Sequence, residues 1–164
     1  MQNGGIEVIA RGVLIGPHGI LLCRAAGKEY TFLPGGHVEY GESAATALTR
    51  EMQEELQVRI DVDNYLSTVE SVFLQDGVTH HEVNIIFEIS CPPLVRRTKV
   101  TSAEAKLQFQ WYPVYALSEA RLLPRPLRTM IPQWTLGKHA PWASDVRHEE
   151  GPKTRDDGRT LREA

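Results

Sequence analysis

From Gly36 to Val58 the chain reads GHVEYGESAATALTREMQEELQV, and this stretch decides how the rest is interpreted. Ser43 is placed to cap a helix, and the residues after it are mostly strong helix formers, so Ser43 to Leu56 reads as a helix. At about 100° per residue, Ala45, Leu48, Met52 and Leu56 fall on one stripe that faces the core. Thr46, Thr49 and Gln53 line one flank of that stripe. Glu51, Glu54 and Glu55 gather on the other side with Ala47 among them, and Glu55 borders the apolar stripe.

That arrangement is unfavourable alone, because like charges at i,i+3 and i,i+4 repel and a partly buried carboxylate loses hydration. Arg50 lies at i,i+4 from Glu54, but one guanidinium does not neutralise three carboxylates. A hard divalent cation with oxygen ligands does better, which points to Mg²⁺ or Mn²⁺, and Ala47 leaves space for it. Acidic runs on helices are more often solvated faces. Contact with the core stripe shifts the balance toward a metal, and so do Gly35, Gly36 and Glu42 just upstream.

Outward from this helix the pattern is one of mixed strands and a few helices, an α/β (α+β) sandwich with a mixed sheet flanked by helices. Ile6 to Ile15 reads as a strand with Ile6, Val8 and Ala10 on one face. Gly16-Pro17-His18-Gly19 then turns it into a second strand, Ile20 to Arg24, forming a hairpin. Val58 to Val62 and Tyr65 to Leu74 look extended, and Asp76-Gly77 marks a turn. Val83, Ile85, Phe87 and Ile89 alternate as one buried face, and Phe109 to Val114 is a further strand. Leu117 to Leu123 and Leu127 to Ile131 read as short helices, each stopped by a proline. Residues 1–136 form one domain on this reading. From Gly137 to Ala164 apolar content falls, and the charged run Arg155 to Arg159 predicts a disordered or loosely attached tail.

The whole-chain numbers exclude some partners. A net charge of −3 over 164 residues gives no general attraction to nucleic acid or anionic membrane, so long RNA or DNA is disfavoured. Cys23 and Cys91 end apolar runs and read as reduced core thiols, with no Cys/His spacing for structural zinc. No apolar run has the length of a membrane span or a secretion signal, and the default setting is the cytoplasm.

Gly36, Glu42, Arg50-Glu51, Met52, Glu54-Glu55 and Val58 resemble the signature of the Nudix hydrolase superfamily (MutT-like proteins). That signature is Gly, five residues, Glu, seven residues, Arg-Glu, an apolar residue, any residue, Glu-Glu, any residue, Gly, an apolar residue. One position departs: Gln57 stands where the family has glycine, and a left-handed helix end there costs roughly 1 kcal/mol of local strain.

The resemblance implies Mg²⁺-dependent hydrolysis of a phosphoanhydride in a nucleoside diphosphate linked to another group, a small-molecule nucleotide substrate. It implies Glu51, Glu54 and Glu55 as metal ligands, joined by the Gly35 carbonyl and supported by Glu42. Arg50 would orient the carboxylates, and homodimers are common in the family. The residue that takes the proton stays open between Glu54 and a loop glutamate. Glu104 lies upstream of Trp111-Tyr112-Pro113-Val114, which resembles a common Nudix stretch, and Glu82 is a weaker candidate. His80 and His81 would point to opposite faces of a strand, so the pair does not easily bind one ion, and each reads first as an ordinary turn-proximal histidine and second as a substrate contact. Tyr30, Phe32 and Tyr40 read first as packing residues and second as platforms for a base. The competing reading is a nucleotide-binding or regulatory module that keeps the fold without turnover.

Overall fold

A computed structural model describes residues 5–75 and 77–146. Among the described residues, seven strands form two sheets. The first sheet runs β1 (Ile6–Val13), β5 (Val78–Ser90), β4 (Asp61–Gln75) and β7 (Trp142–Ser144), with β1 parallel to β5 and β7 parallel to β4. The second is antiparallel: β2 (Ile15–Gly16), β3 (Gly19–Ala25) and β6 (Leu107–Tyr112). The helices among the described residues are α1 (Ala44–Leu56), a short α2 (Pro92–Val95) and α3 (Leu127–Trp134), with a 3₁₀ turn at Val114–Ala116.

Alternation along the strands divides the core in two. Leu21 and Cys23 join Ala10, Leu14, Phe109, Trp111 and the inner face of α1 in one cluster. Their neighbours Ile20 and Leu22 join Val13, Val69, Ile86 and α3 in the other. The result is a mixed sheet layer flanked by helices, as the sequence pattern implies.

Several local expectations change. The hairpin is confined to Ile15-Gly16 and Gly19-Ile20, because β1 leaves it at Leu14 to run beside β5. Ile9, Ala10, Val13 and Leu14 are all buried while Ile6 is 63% exposed, so of the expected face of Ile6, Val8 and Ala10 only Ala10 reaches the core, and β1 buries both faces toward its end. On β5, Ile89 is buried but Val83, Ile85 and Phe87 are only half-buried, and the other face buries Asn84 and Ile86. A strand paired on both edges and covered on both sides has no single apolar face to read. Tyr65 to Leu74 lies within β4, whose pairing with β5 shifts register near Tyr65, while Val58 and Ile60 are buried ahead of the strand.

The segment 117–123 turns irregularly where a helix was expected, with Arg121 at φ 51°. The helix at Leu127 runs through Pro132 to Trp134. Proline forfeits one helical hydrogen bond there, but burial of Ile131 and Trp134 against the second cluster outweighs that loss. The expected C-terminal tail begins with a paired segment, since Trp142–Ser144 lies along Thr68 to Glu70. The charged run Arg155 to Arg159 and Asp76 of the expected turn lie outside the described residues.

Candidate active site

The signature helix is capped as its sequence requires. The Ser43 hydroxyl accepts from the Thr46 amide at 3.1 Å, which satisfies one of the free N–H groups of the first turn. At the other end Gln57 adopts φ 54° and ψ 38°, and its N–H closes on the Gln53 carbonyl. The helix is rotated slightly from the wheel's expectation. Ala47 is fully buried with Leu48, Met52 and Leu56, while Ala45 is only half-buried. Ala47 therefore belongs to the core and does not lie open on the acidic flank. Glu55 moves inward with it.

Arg50 organises the acidic residues. Its Nη2 donates to Glu42 at 2.7 Å and to the His37 carbonyl at 3.0 Å. Its Nη1 donates to Glu51 at 2.8 Å and to Glu54 at 3.3 Å. The bonds to Glu42 and then Glu51 raise the guanidinium pKa above its ordinary value. In return Arg50 and the Glu39 amide hold the Glu42 carboxyl below the usual range. Glu54 keeps its side chain 53% exposed.

Glu55 is different in kind. It is 6% exposed, and its Oε2 is buried without a hydrogen-bond partner. Burial first, and the Glu51 charge second, push its carboxyl up to about 8, while Arg11 and the Gly35 backbone pull the other way. Gly36 makes this crowding possible, because a Cβ there would collide with the Glu51 carboxylate. Gly35, at φ 120°, has no room for a side chain beside the Ala10 carbonyl. Its own carbonyl accepts from Arg11 Nη1 at 2.6 Å.

Glu104 sits on a loop tied to the helix end. The Ala103 amide donates to the Glu55 carbonyl at 2.7 Å, the Ser102 hydroxyl donates to it at 3.3 Å, and the Glu104 charge adds to the upward shift of Glu55. Among the described residues, no three His, Cys, Asp or Glu side chains converge on one ion position as placed. Arg50 draws Glu51 and Glu54 toward itself. Even so, the residues fit a cation: a buried carboxylate oxygen lacks a donor, Gly36 leaves room for the Glu51 carboxylate, and the donor set is all oxygen.

Beside these carboxylates lies a cavity of about 590 Å³ that the sequence reading missed. Arg11 joins the two regions: it lines the cavity, bonds to the Leu33 and Gly35 carbonyls, and feels the charges of Glu82, Glu55 and Glu51. Burial pushes its pKa down, and those carboxylates support its charge. A charged residue inside the apolar run Ile9 to Val13 was the available signal. Of the aromatic candidates, Phe32 and Tyr30 line the cavity while Tyr40 is exposed. His80 stacks on Phe73 at 5.3 Å and bonds to Glu7 at 2.7 Å.

The match to the NUDIX domain family spans residues 6–134, most of the chain. The chain belongs to the NUDIX family. Solved NUDIX relatives share its fold at low identity. A MutT protein from Methanosarcina mazei Go1 superposes with TM-score 0.62 at 16% identity, over 84% of this chain and 98% of that one. The E. coli ORF135 protein gives 0.58 at 20% identity, over 84% and 96%. A NUDIX hydrolase from Nitrosomonas europaea gives 0.58 at 18% identity, over 84% and 93%. Membership makes NUDIX-type hydrolysis of a nucleoside diphosphate linked to another group plausible for this chain, and Mg²⁺ use is typical of the family. No described helix is long and apolar enough to cross a membrane.

Proposed function

We propose that this chain hydrolyses a phosphoanhydride bond in a nucleoside diphosphate linked to another moiety, using Mg²⁺ and an attacking water. The observation that carries the reading is Glu55: a buried carboxylate with an unpartnered oxygen, within electrostatic reach of Glu51 and Arg11. An ionised group so placed is costly unless a cation reaches it. Glu51, Glu54 and Glu55 would hold that cation, with the Gly35 carbonyl and Glu42 in support, and Mn²⁺ would suit the same oxygens. When bound, the cation supplies positive charge against the phosphoryl oxygens and acidifies the attacking water.

The chain's own residues do the positioning. Arg50 fixes Glu42 and Glu51 through hydrogen bonds, so neither carboxylate has to be ordered when substrate arrives. Glu54, the most exposed of the helix trio by its half-open side chain, takes the proton from the attacking water in this reading. Glu104, held by its loop on the Glu55 carbonyl, is the competing base.

A nucleotide-binding module without turnover is the second reading. One observation favours it: Arg50 already occupies both Glu51 and Glu54. A product assay over a panel of nucleotides, with and without Mg²⁺ and in labelled water, separates the two. Metal-dependent cleavage with label in one phosphate product supports hydrolysis. Saturable nucleotide binding without any turnover across the panel would leave the binding module instead.

A further inference from the structure

One face of the first sheet is only partly covered. Strand register aligns Ile6 with His81 and Val72, and Val8 with Val83 and Glu70, so these side chains point to the same side. Helix α1 covers that side where Ala10 and Ile89 join its core cluster. Away from the helix Ile6, Val8, Tyr65, Val72, Leu74 and Trp142 stand exposed, Leu74 at 73% and Trp142 at 56%. Register puts Tyr65 and Trp142 on the same side, through Phe87 and through Thr68 beside Ile85.

Area and composition identify what would cover this face. With about 150–250 Å² for a large side chain in full, these residues leave roughly 600 Å² open in each copy. A monomer rarely leaves a larger apolar patch to water. Two such faces in contact bury about 1,200 Å², which reaches the range of stable interfaces. None of the chain's 18 lysines and arginines falls in the aligned rows. Interface centres favour aromatic residues and avoid lysine in the same way.

The charge pattern is self-complementary. Glu70 and His81 occupy opposite corners of a quartet whose other corners are Val72 and Val83. A two-fold axis in the contact plane, running along the valine diagonal, lays each Glu70 over His81 of the second copy. Each valine then meets its own counterpart. Such an axis crosses the strands obliquely, so the two sheets stack near right angles, one of the two common sheet packings.

We infer that a second copy of this chain docks on this face, with Val72 and Val83 at the two-fold axis and Glu70 against the other copy's His81. The contact supports the weakest part of the sheet. Beyond Val72 and His81 only β4 and β5 pair among the described residues, and a two-stranded ribbon is marginal in water. The other side of that ribbon carries Phe73 and Gln75 into the cavity wall. The inference stands apart from the hydrolase reading and needs neither metal nor nucleotide.

Sedimentation equilibrium of the full chain over about 1–100 μM tests it, since an interface of this size supports micromolar association. The mass should rise toward that of two chains. Trp111 and Trp134 are buried and Trp142, the third tryptophan, is open, so acrylamide quenching of tryptophan emission should fall over the same series. Val72→Lys should weaken association at least about 10-fold by setting two ammonium groups together at the axis, with the unfolding midpoint of the dilute monomer unchanged. His81→Glu should weaken it by facing Glu70, and adding Glu70→Lys should restore it. The quenching series needs no variant. A monomer throughout the range, a dimer in which Trp142 stays as quenchable as before, a folded Val72→Lys chain that pairs as tightly as the parent, or a double variant no tighter than His81→Glu each overturn the proposal.

Discussion

Replacing Gln57 by glycine tests the end of the signature helix without touching its chemistry. Gln57 holds φ 54° and ψ 38°, its side chain is exposed, and its one structural bond is the backbone N–H to the Gln53 carbonyl at 3.0 Å. Glycine keeps that bond and loses no buried contact. The left-handed conformation costs a residue with a Cβ roughly 1–2 kcal/mol, which glycine avoids. Against this, glycine gives back about 0.4–1 kcal/mol through the larger freedom of its unfolded chain. The net is a gain of about 0.5–1 kcal/mol, worth about 1–4 °C in Tm for a domain of this size. Urea unfolding followed by circular dichroism reads it as a higher midpoint at unchanged slope. A lower midpoint for Gln57→Gly would refute the left-handed cap and place the helix end elsewhere.

Four further outcomes are expected. Glu54→Gln should lower turnover by several orders of magnitude with an unchanged unfolding midpoint; near-normal rates would move the proton to Glu104. Gly36→Ala should drive the added methyl into the Glu51 carboxylate, and calorimetry should then read a weaker response to Mg²⁺; unchanged metal affinity would deny Glu51 its place. Glu55 carries a raised carboxyl, about 8 against an ordinary 4.5, so the folded chain binds more protons than the unfolded one between these values. Stability in chelator should therefore fall as pH rises through that window, Glu55→Gln should flatten the fall, and a slope indifferent to the substitution would count against a buried, unpaired Glu55. Arg11→Ala should cost about 3 kcal/mol by leaving the Leu33, Gly35 and Asn84 acceptors without their donor, read again by urea unfolding; a loss within error would mean the donors are replaced by water.

The parts of the fold legible in sequence were those governed by neighbours in the chain. Ser43 caps, Gln57 takes the left-handed end and Arg50 reaches Glu42, Glu51 and Glu54, because helix geometry and the preceding loop set all three. What stayed hidden depended on contacts distant in sequence. Ile6 and Val8 alternate like a buried face, yet β1 runs beside β5, and nothing in residues 6–13 reveals that choice. Pro132 looked like a stop until the burial of Trp134 gave the helix a reason to continue. Arg11 and Asn84 are 73 positions apart and meet only because β1 and β5 pair in parallel. The cavity they line has no local signature beyond the charge of Arg11 inside an apolar run.

Glu55 faces two ways, and this links parts of the molecule that differ in purpose. Its main chain is the peg on which the Ser102–Ala103 turn hangs, while its acid group points into the interior. Any lengthening or shortening of the connection between α2 and β6 must therefore preserve that peg, or Glu104 swings away from the helix. Loop exchange with a relative is constrained at this one joint more than by the length of the loop itself.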